Sequence, residues 1–199
     1  MSAPRLLAAL RTPEAAKFAP LIGALIGFVG GAIYWLAAQF WPSNVALILS
    51  MAATTLLTAQ LRLAAVFYVL LKFNALMALS AATLPFAAPE NLALPIIMIC
   101  GYAASFALRV SLMATRPQKG AAKVSSGSLT VALLIGCAPA ALLGIPGLMG
   151  LVLAIAAGLA CIAYLRYKRA AADAETLEVS QQITEVCFYL GALASWRYI

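Results

Sequence analysis

The chain has 199 residues, 65% of them hydrophobic and only 10% charged, where an ordinary soluble domain is ~25% charged. It contains no histidine, and six carboxylates stand against thirteen Lys and Arg, for a net charge of +7. That composition excludes a His-based triad, a His-ligated zinc site and a soluble nucleic-acid-binding domain. It points to an integral membrane protein whose basic excess sits in its loops, with the lipid bilayer as partner and no nucleic acid.

The N-terminal stretch is not expected to be a signal peptide, because the apolar run 6–10 is short and Glu14 and Lys17 follow it. Leu6, Leu7 and Leu10 beside Arg5 and Arg11 predict instead a short amphipathic segment over about 1–17, lying in the membrane interface. Beyond it, a bilayer crossing takes ~20 mostly apolar residues. Residues 20–41 carry no charge and make the first span; 45–61 make a short second one. The third, 63–84, is interrupted only by Lys72, and the fourth, 94–114, only by Arg109. Residues 129–165 run without a charge, roughly 55 Å as a helix and too long for one crossing. Pro139 and the turn signal Gly144-Ile145-Pro146-Gly147 divide that run into two short spans. Residues 176–195 form a weaker seventh span carrying Glu178, Gln181, Gln182 and Glu185. The expected fold is therefore all-α: one polytopic transmembrane helical bundle over 1–199 with about seven spans, or six if the last helix lies along the membrane.

Loop charges set the expected orientation. Arg5, Arg11, Lys17, Arg62, Arg116, Lys119, Lys123, Arg166, Lys168 and Arg169 all fall on one side. The loops at 42–44, 85–93 and 139–147 hold no Lys or Arg. The positive-inside rule makes the basic side cytoplasmic and the N-terminus with it.

Several groupings have two readings. Gly23, Gly27 and Gly31 share one helix face, which suits close packing of another helix better than a phosphate-binding loop. The four cysteines lie inside spans without metal-ligand spacing and read as small packed hydrophobes. No internal repeat supports an inverted-repeat transporter. Lys72 lies about ten residues into its span, where an unpaired Lys costs roughly 2.5–3.5 kcal/mol. Glu185 lies at similar depth, so an ion pair is open to the two; the alternative is a snorkelling Lys72 and a Glu185 facing a polar crevice with Gln181 and Gln182. Arg109 and Glu178 both fall near the cytoplasmic boundary. The basic residues at 116–123 and 166–169 suit anionic lipid heads, or the phosphates of a substrate near the small polar run 120–128.

The order of four segments carries a family resemblance: RLLAALR (5–11), FAPLIGALIG (18–27), LLTAQL (56–61) and QQITEVCFYLGALA (181–194). Together they resemble the cobalamin synthase family, the adenosylcobinamide-GDP ribazoletransferases, with 175–194 the most specific part. The resemblance implies a polytopic enzyme that joins α-ribazole, or its 5′-phosphate, to adenosylcobinamide-GDP and expels GMP, with Mg²⁺ as cofactor. It also implies Glu175 as metal ligand, and Glu175, Glu185 and Lys72 as catalytic residues. Arg62, Arg109, Lys119, Lys123, Arg166, Lys168 and Arg169 are the candidates to meet a corrinoid nucleotide. The chain departs from the family pattern after LLTAQL, where a His-x-Asp-Gly-Leu-Ala-Asp motif is typical. Here Arg62-Leu63-Ala64-Ala65 leads almost directly to Lys72. The family's Thr-Gly-Asp-Thr-Leu-Gly reads Asp173-Ala174-Glu175-Thr176-Leu177-Glu178, with one acid kept and both glycines gone. A transferase is one expectation. A non-catalytic relative, binding a corrinoid or serving as an oligomeric or scaffolding subunit of a membrane biosynthetic complex, is another; a small-solute transporter is a distant third.

Overall fold

A computed structural model describes residues 16–58, 65–80, 92–115, 124–168 and 173–196, and the described residues form seven α-helices and no strand. These are α1 (Ala19–Ala37), α2 (Ser43–Thr58), α3 (Ala65–Leu79), α4 (Ala93–Thr115), α5 (Ser126–Ala141), α6 (Ile145–Tyr167) and α7 (Ala174–Trp196). The expected segment over 1–17 lies almost wholly outside the described residues.

Local chemistry sets the helix ends. Pro20 and Pro146 sit in the first turns of α1 and α6, where a missing N–H costs nothing. The Ser125 side chain accepts from the Ser128 amide at 3.1 Å and caps α5. Asp173 Oδ1 accepts from the Thr176 amide at 2.7 Å and caps α7. Between α5 and α6 the chain reverses at Gly144, whose φ of +67° favours a residue without Cβ. The long apolar run is thus two helices, divided where the turn signal places the break.

α4 is the axis of the bundle. It packs against α1, α5, α6 and α7, and 72% of its apolar stretch is buried. By contrast α6 buries only 22% of its stretch and turns Leu148, Val152 and Leu159 outward, as α1 turns out Leu25 and Phe28. Large apolar side chains outside and hydroxyls, amides and charges inside is the pattern a lipid solvent favours. α1, α4 and α6 are long and apolar enough to cross a membrane; α2, α3 and α5 are apolar but shorter. α7 is less apolar, yet it belongs to the bundle: it packs on α6, α4 and α3, with Phe188 and Tyr189 fully buried. The fold is an all-α membrane bundle.

Glycines let the backbones approach. A Cβ on Gly27 would stand 2.7 Å from Ile99 Cα, and one on Gly23 2.6 Å from the Tyr102 carbonyl. The four-residue glycine spacing is a helix-packing face between α1 and α4. All four cysteines are free and lie within helices, Cys100 buried and the others half-buried.

Candidate functional site

The most costly side chain in the sequence meets its partner inside the bundle. Lys72, midway along α3, points its Nζ at Glu185 Oε1 of α7 at 2.6 Å, and the two side chains are only 12% and 5% exposed. Of the two readings for Lys72, pairing is the one the structure bears out. Burial of a charge at this depth demands compensation, and the surroundings supply more than one partner. Lys72 Nζ donates to the Tyr102 hydroxyl of α4 at 2.7 Å and lies 4.3 Å from that ring's centroid. The Tyr189 hydroxyl donates to the same Glu185 oxygen at 3.0 Å. The Thr54 side chain of α2 also hydrogen-bonds the Tyr102 hydroxyl. Four helices therefore contribute to one polar cluster.

Gly101 makes room for it. A Cβ there would stand 2.5 Å from the Tyr189 ring, so only glycine lets that ring lie against α4 with its hydroxyl on Glu185. No buried side-chain nitrogen or oxygen among the described residues is left unbonded, and the cluster is fully satisfied.

A cleft opens onto this cluster. Met51 and Thr55 of α2 form one wall and Tyr68, Val69 and Lys72 of α3 another. Tyr102 lies at its floor, with Gln182, Glu185 and Val186 of α7 opposite. Thr55, Tyr68 and Gln182 lie toward the end of the bundle where α2 stops and α3 and α7 begin, and Lys72 and Glu185 lie deeper. The cleft thus runs from that end to the ion pair, and is narrow, with a volume of about 30 Å³, room for a water or two.

The other expected site residues lie elsewhere. Arg109 of α4 donates to Gln181 Oε1 at 2.8 Å, with the Glu178 carboxylate within electrostatic reach. Arg166, Lys168 and Glu175 are exposed where α6 gives way to α7. Glu175 precedes Glu185 by ten residues, roughly 15 Å along the helix, so it does not join Glu185 and Lys72 in one site. Arg62, Lys119, Lys123 and Arg169 lie outside the described residues. No three Cys, Asp or Glu side chains gather among the described residues. Glu185 is committed to Lys72 and Tyr189, and Asp173 to its cap, so the described carboxylates do not fit a magnesium site. Hydrogen bonds from the Thr176 side chain and amide hold the Asp173 carboxyl below its ordinary range.

Sequence reasoning missed Tyr102, Tyr189 and Thr54. A signal existed for Tyr189: it lies four residues after Glu185, on the same helix face.

Comparison with known proteins locates the chain's relatives. Residues 4–63 match the family model for cobalamin-5-phosphate synthase. The adenosylcobinamide-GDP ribazoletransferase of Leptothrix cholodnii is 53% identical over 51 residues, 24% of this chain and 19% of that protein. The enzyme of the same name from Ralstonia nicotianae is 52% identical over 46 residues, 23% of this chain and 18% of that protein. The chain thus spans under a fifth of the length of these curated relatives. No solved structure matches. The family match covers α1 and α2 and ends at residue 63, short of the closing helix where the resemblance was expected to be most specific. The likeness to the cobalamin-5-phosphate synthase family thus rests on residues 4–63, less than half of the chain.

Proposed function

We propose that the protein acts in cobalamin biosynthesis as a membrane-embedded relative of adenosylcobinamide-GDP ribazoletransferase, joining α-ribazole or its phosphate to adenosylcobinamide-GDP with release of GMP. One observation carries the reading: the family-matched stretch, 4–63, supplies the Met51 and Thr55 wall of the cleft, and Lys72 and Glu185 stand opposite. In such a transfer a hydroxyl oxygen attacks a diphosphate phosphorus, its proton passes to Glu185, and the bond to GMP breaks with the electron pair leaving on GMP. Lys72 and the Tyr102 hydroxyl are donors placed for the negative charge that develops on oxygen. The exposed Arg166 and Lys168 serve phosphates or anionic lipid heads at the bundle end. The setting is the bacterial cytoplasmic membrane, with the basic loops and the N-terminus on the cytoplasmic side.

A second reading, corrinoid binding without turnover, is favoured by one observation: the described carboxylates do not gather into a metal site. Reconstitution separates the two. Purified protein in lipid receives adenosylcobinamide-GDP, α-ribazole and Mg²⁺, and GMP is followed. Release of GMP that is lost in Glu185→Gln supports the transferase. Corrinoid-nucleotide binding without GMP supports the non-catalytic relative, and absence of both overturns the proposal.

A further inference from the structure

The space beside the buried pair is small but polar. A water needs ~10–15 Å³ and roughly two to four polar partners, and the cleft has a volume of about 30 Å³. Its lining supplies the partners. An ammonium has three N–H donors, and Glu185 Oε1 and the Tyr102 hydroxyl engage two of those on Lys72 among the described residues. A carboxylate has roughly four acceptor sites, and Lys72 and Tyr189 take two of those on Glu185. A water fits what is left, accepting from Lys72 and donating to Glu185. Both side chains line the cleft and keep a little exposure, 12% and 5%. Hydration on that side also lowers the desolvation cost that a buried ion pair carries.

A molecule larger than a few atoms stays outside so narrow a cleft, and its hydroxyl stands at the mouth, by Thr55, Tyr68 and Gln182. Gln182 precedes Glu185 by three residues, roughly 4.5 Å along α7, a span that one water bridges. We propose that the cleft is a water site rather than a substrate pocket, and that its water carries the proton of a hydroxyl held at the mouth to Glu185. The water site stands on the geometry alone; the proton relay rests on the transferase reading. In the transfer the hydroxyl oxygen attacks phosphorus and its proton passes to the water. A proton of that water passes to Glu185, which restores the water, and GMP leaves with the electron pair of the broken bond.

X-ray hydroxyl-radical footprinting of the full chain in phosphatidylcholine nanodiscs tests the water, with a scavenger of bulk radicals present and oxidation read by mass spectrometry. Met51 lines the cleft and Met98 does not, although both are buried, 6% and 0% exposed. Met51 is expected to be oxidised at least fivefold faster than Met98. In Lys72→Leu/Glu185→Leu, whose walls are more apolar and hold water poorly, that ratio is expected to fall several-fold. Equal oxidation of the two methionines in the wild-type protein overturns the water site, and a ratio unchanged in the folded double variant overturns its attachment to the ion pair. The wild-type comparison holds even where the variant fails to fold. Single-turnover GMP release in H₂O–D₂O mixtures tests the relay, since two protons in flight give a bowed dependence on deuterium fraction. A linear dependence, or none, overturns the relay and leaves the transferase reading standing. Rapid oxidation of Met51 without any GMP release keeps the water site and overturns the transferase reading.

Discussion

Replacing Lys72 and Glu185 singly and together weighs the ion pair at the centre of the fold. Lys72→Met leaves Glu185, 4% exposed, with the Tyr189 hydroxyl as its only hydrogen-bond partner among the described residues. Glu185→Met leaves Lys72 with the Tyr102 hydroxyl as its only hydrogen-bond partner among the described residues. An orphaned buried charge costs about 3–5 kcal/mol, so independent losses would sum to about 6–10 kcal/mol. In the double variant both charges are gone and two apolar side chains of similar reach meet in their place. Such replacements are often neutral or stabilising, so the double variant is expected within about 1–2 kcal/mol of wild type, the residue being the Tyr189 hydroxyl deprived of Glu185 and the Tyr102 hydroxyl left with Thr54. Unfolding in mixed micelles with increasing SDS, followed by tryptophan fluorescence, measures all four corners of the cycle. Losses that add to within about 0.5 kcal/mol would show that the residues do not act as a pair, and the reasoning would fail.

Three further outcomes follow from the geometry. Gly27→Val is expected to cost about 1–3 kcal/mol or more, because its Cβ meets α4 backbone at 2.7 Å and the helices must separate; the same unfolding assay reads it. Asp173→Ala is expected to cost about 1 kcal/mol through loss of the α7 cap. The folded-state carboxyl lies below its unfolded value of about 3.9, so its stabilisation is present above that pH and disappears as pH falls through the lower folded value. Asp173→Asn keeps the cap and removes that acid-side contribution, which stability measured against pH detects. Cys100, 1% exposed, is expected to resist maleimide labelling in the folded bundle and to react on unfolding, as mass spectrometry of labelled peptides reports.

Much of this arrangement was legible in the sequence because charge inside an apolar run is costly and stands out. Lys72 and Glu185 were marked by depth alone, and Gly144 with Pro146 marked the hairpin between α5 and α6. The glycines at 23, 27 and 31 announced a close helix contact by spacing, though not that α4 was the partner. Tyr102 and Tyr189 were not legible in the same way. A tyrosine suits a lipid interface, a core or a polar cluster equally well, and only the tertiary arrangement distinguishes them. Glu175 drew attention as an acid retained in a familiar position, yet a helix rises 1.5 Å per residue, and ten residues carry it away from the buried pair. The family match ends at residue 63, just where the expected acidic motif gives way to the approach to α3. The site described here is therefore built from α3, α4 and α7 against a wall supplied by the family-matched stretch.

The central claim is that the Lys72–Glu185 cluster is a working site and more than a bracing pair. The most direct measurement is GMP release by the Lys72→Met/Glu185→Met variant in phosphatidylcholine proteoliposomes, beside wild type and with folding verified in the same preparation. The account predicts a variant that is folded and close to wild type in stability but releases no GMP, while wild type does. A folded double variant that releases GMP at the wild-type rate would contradict it.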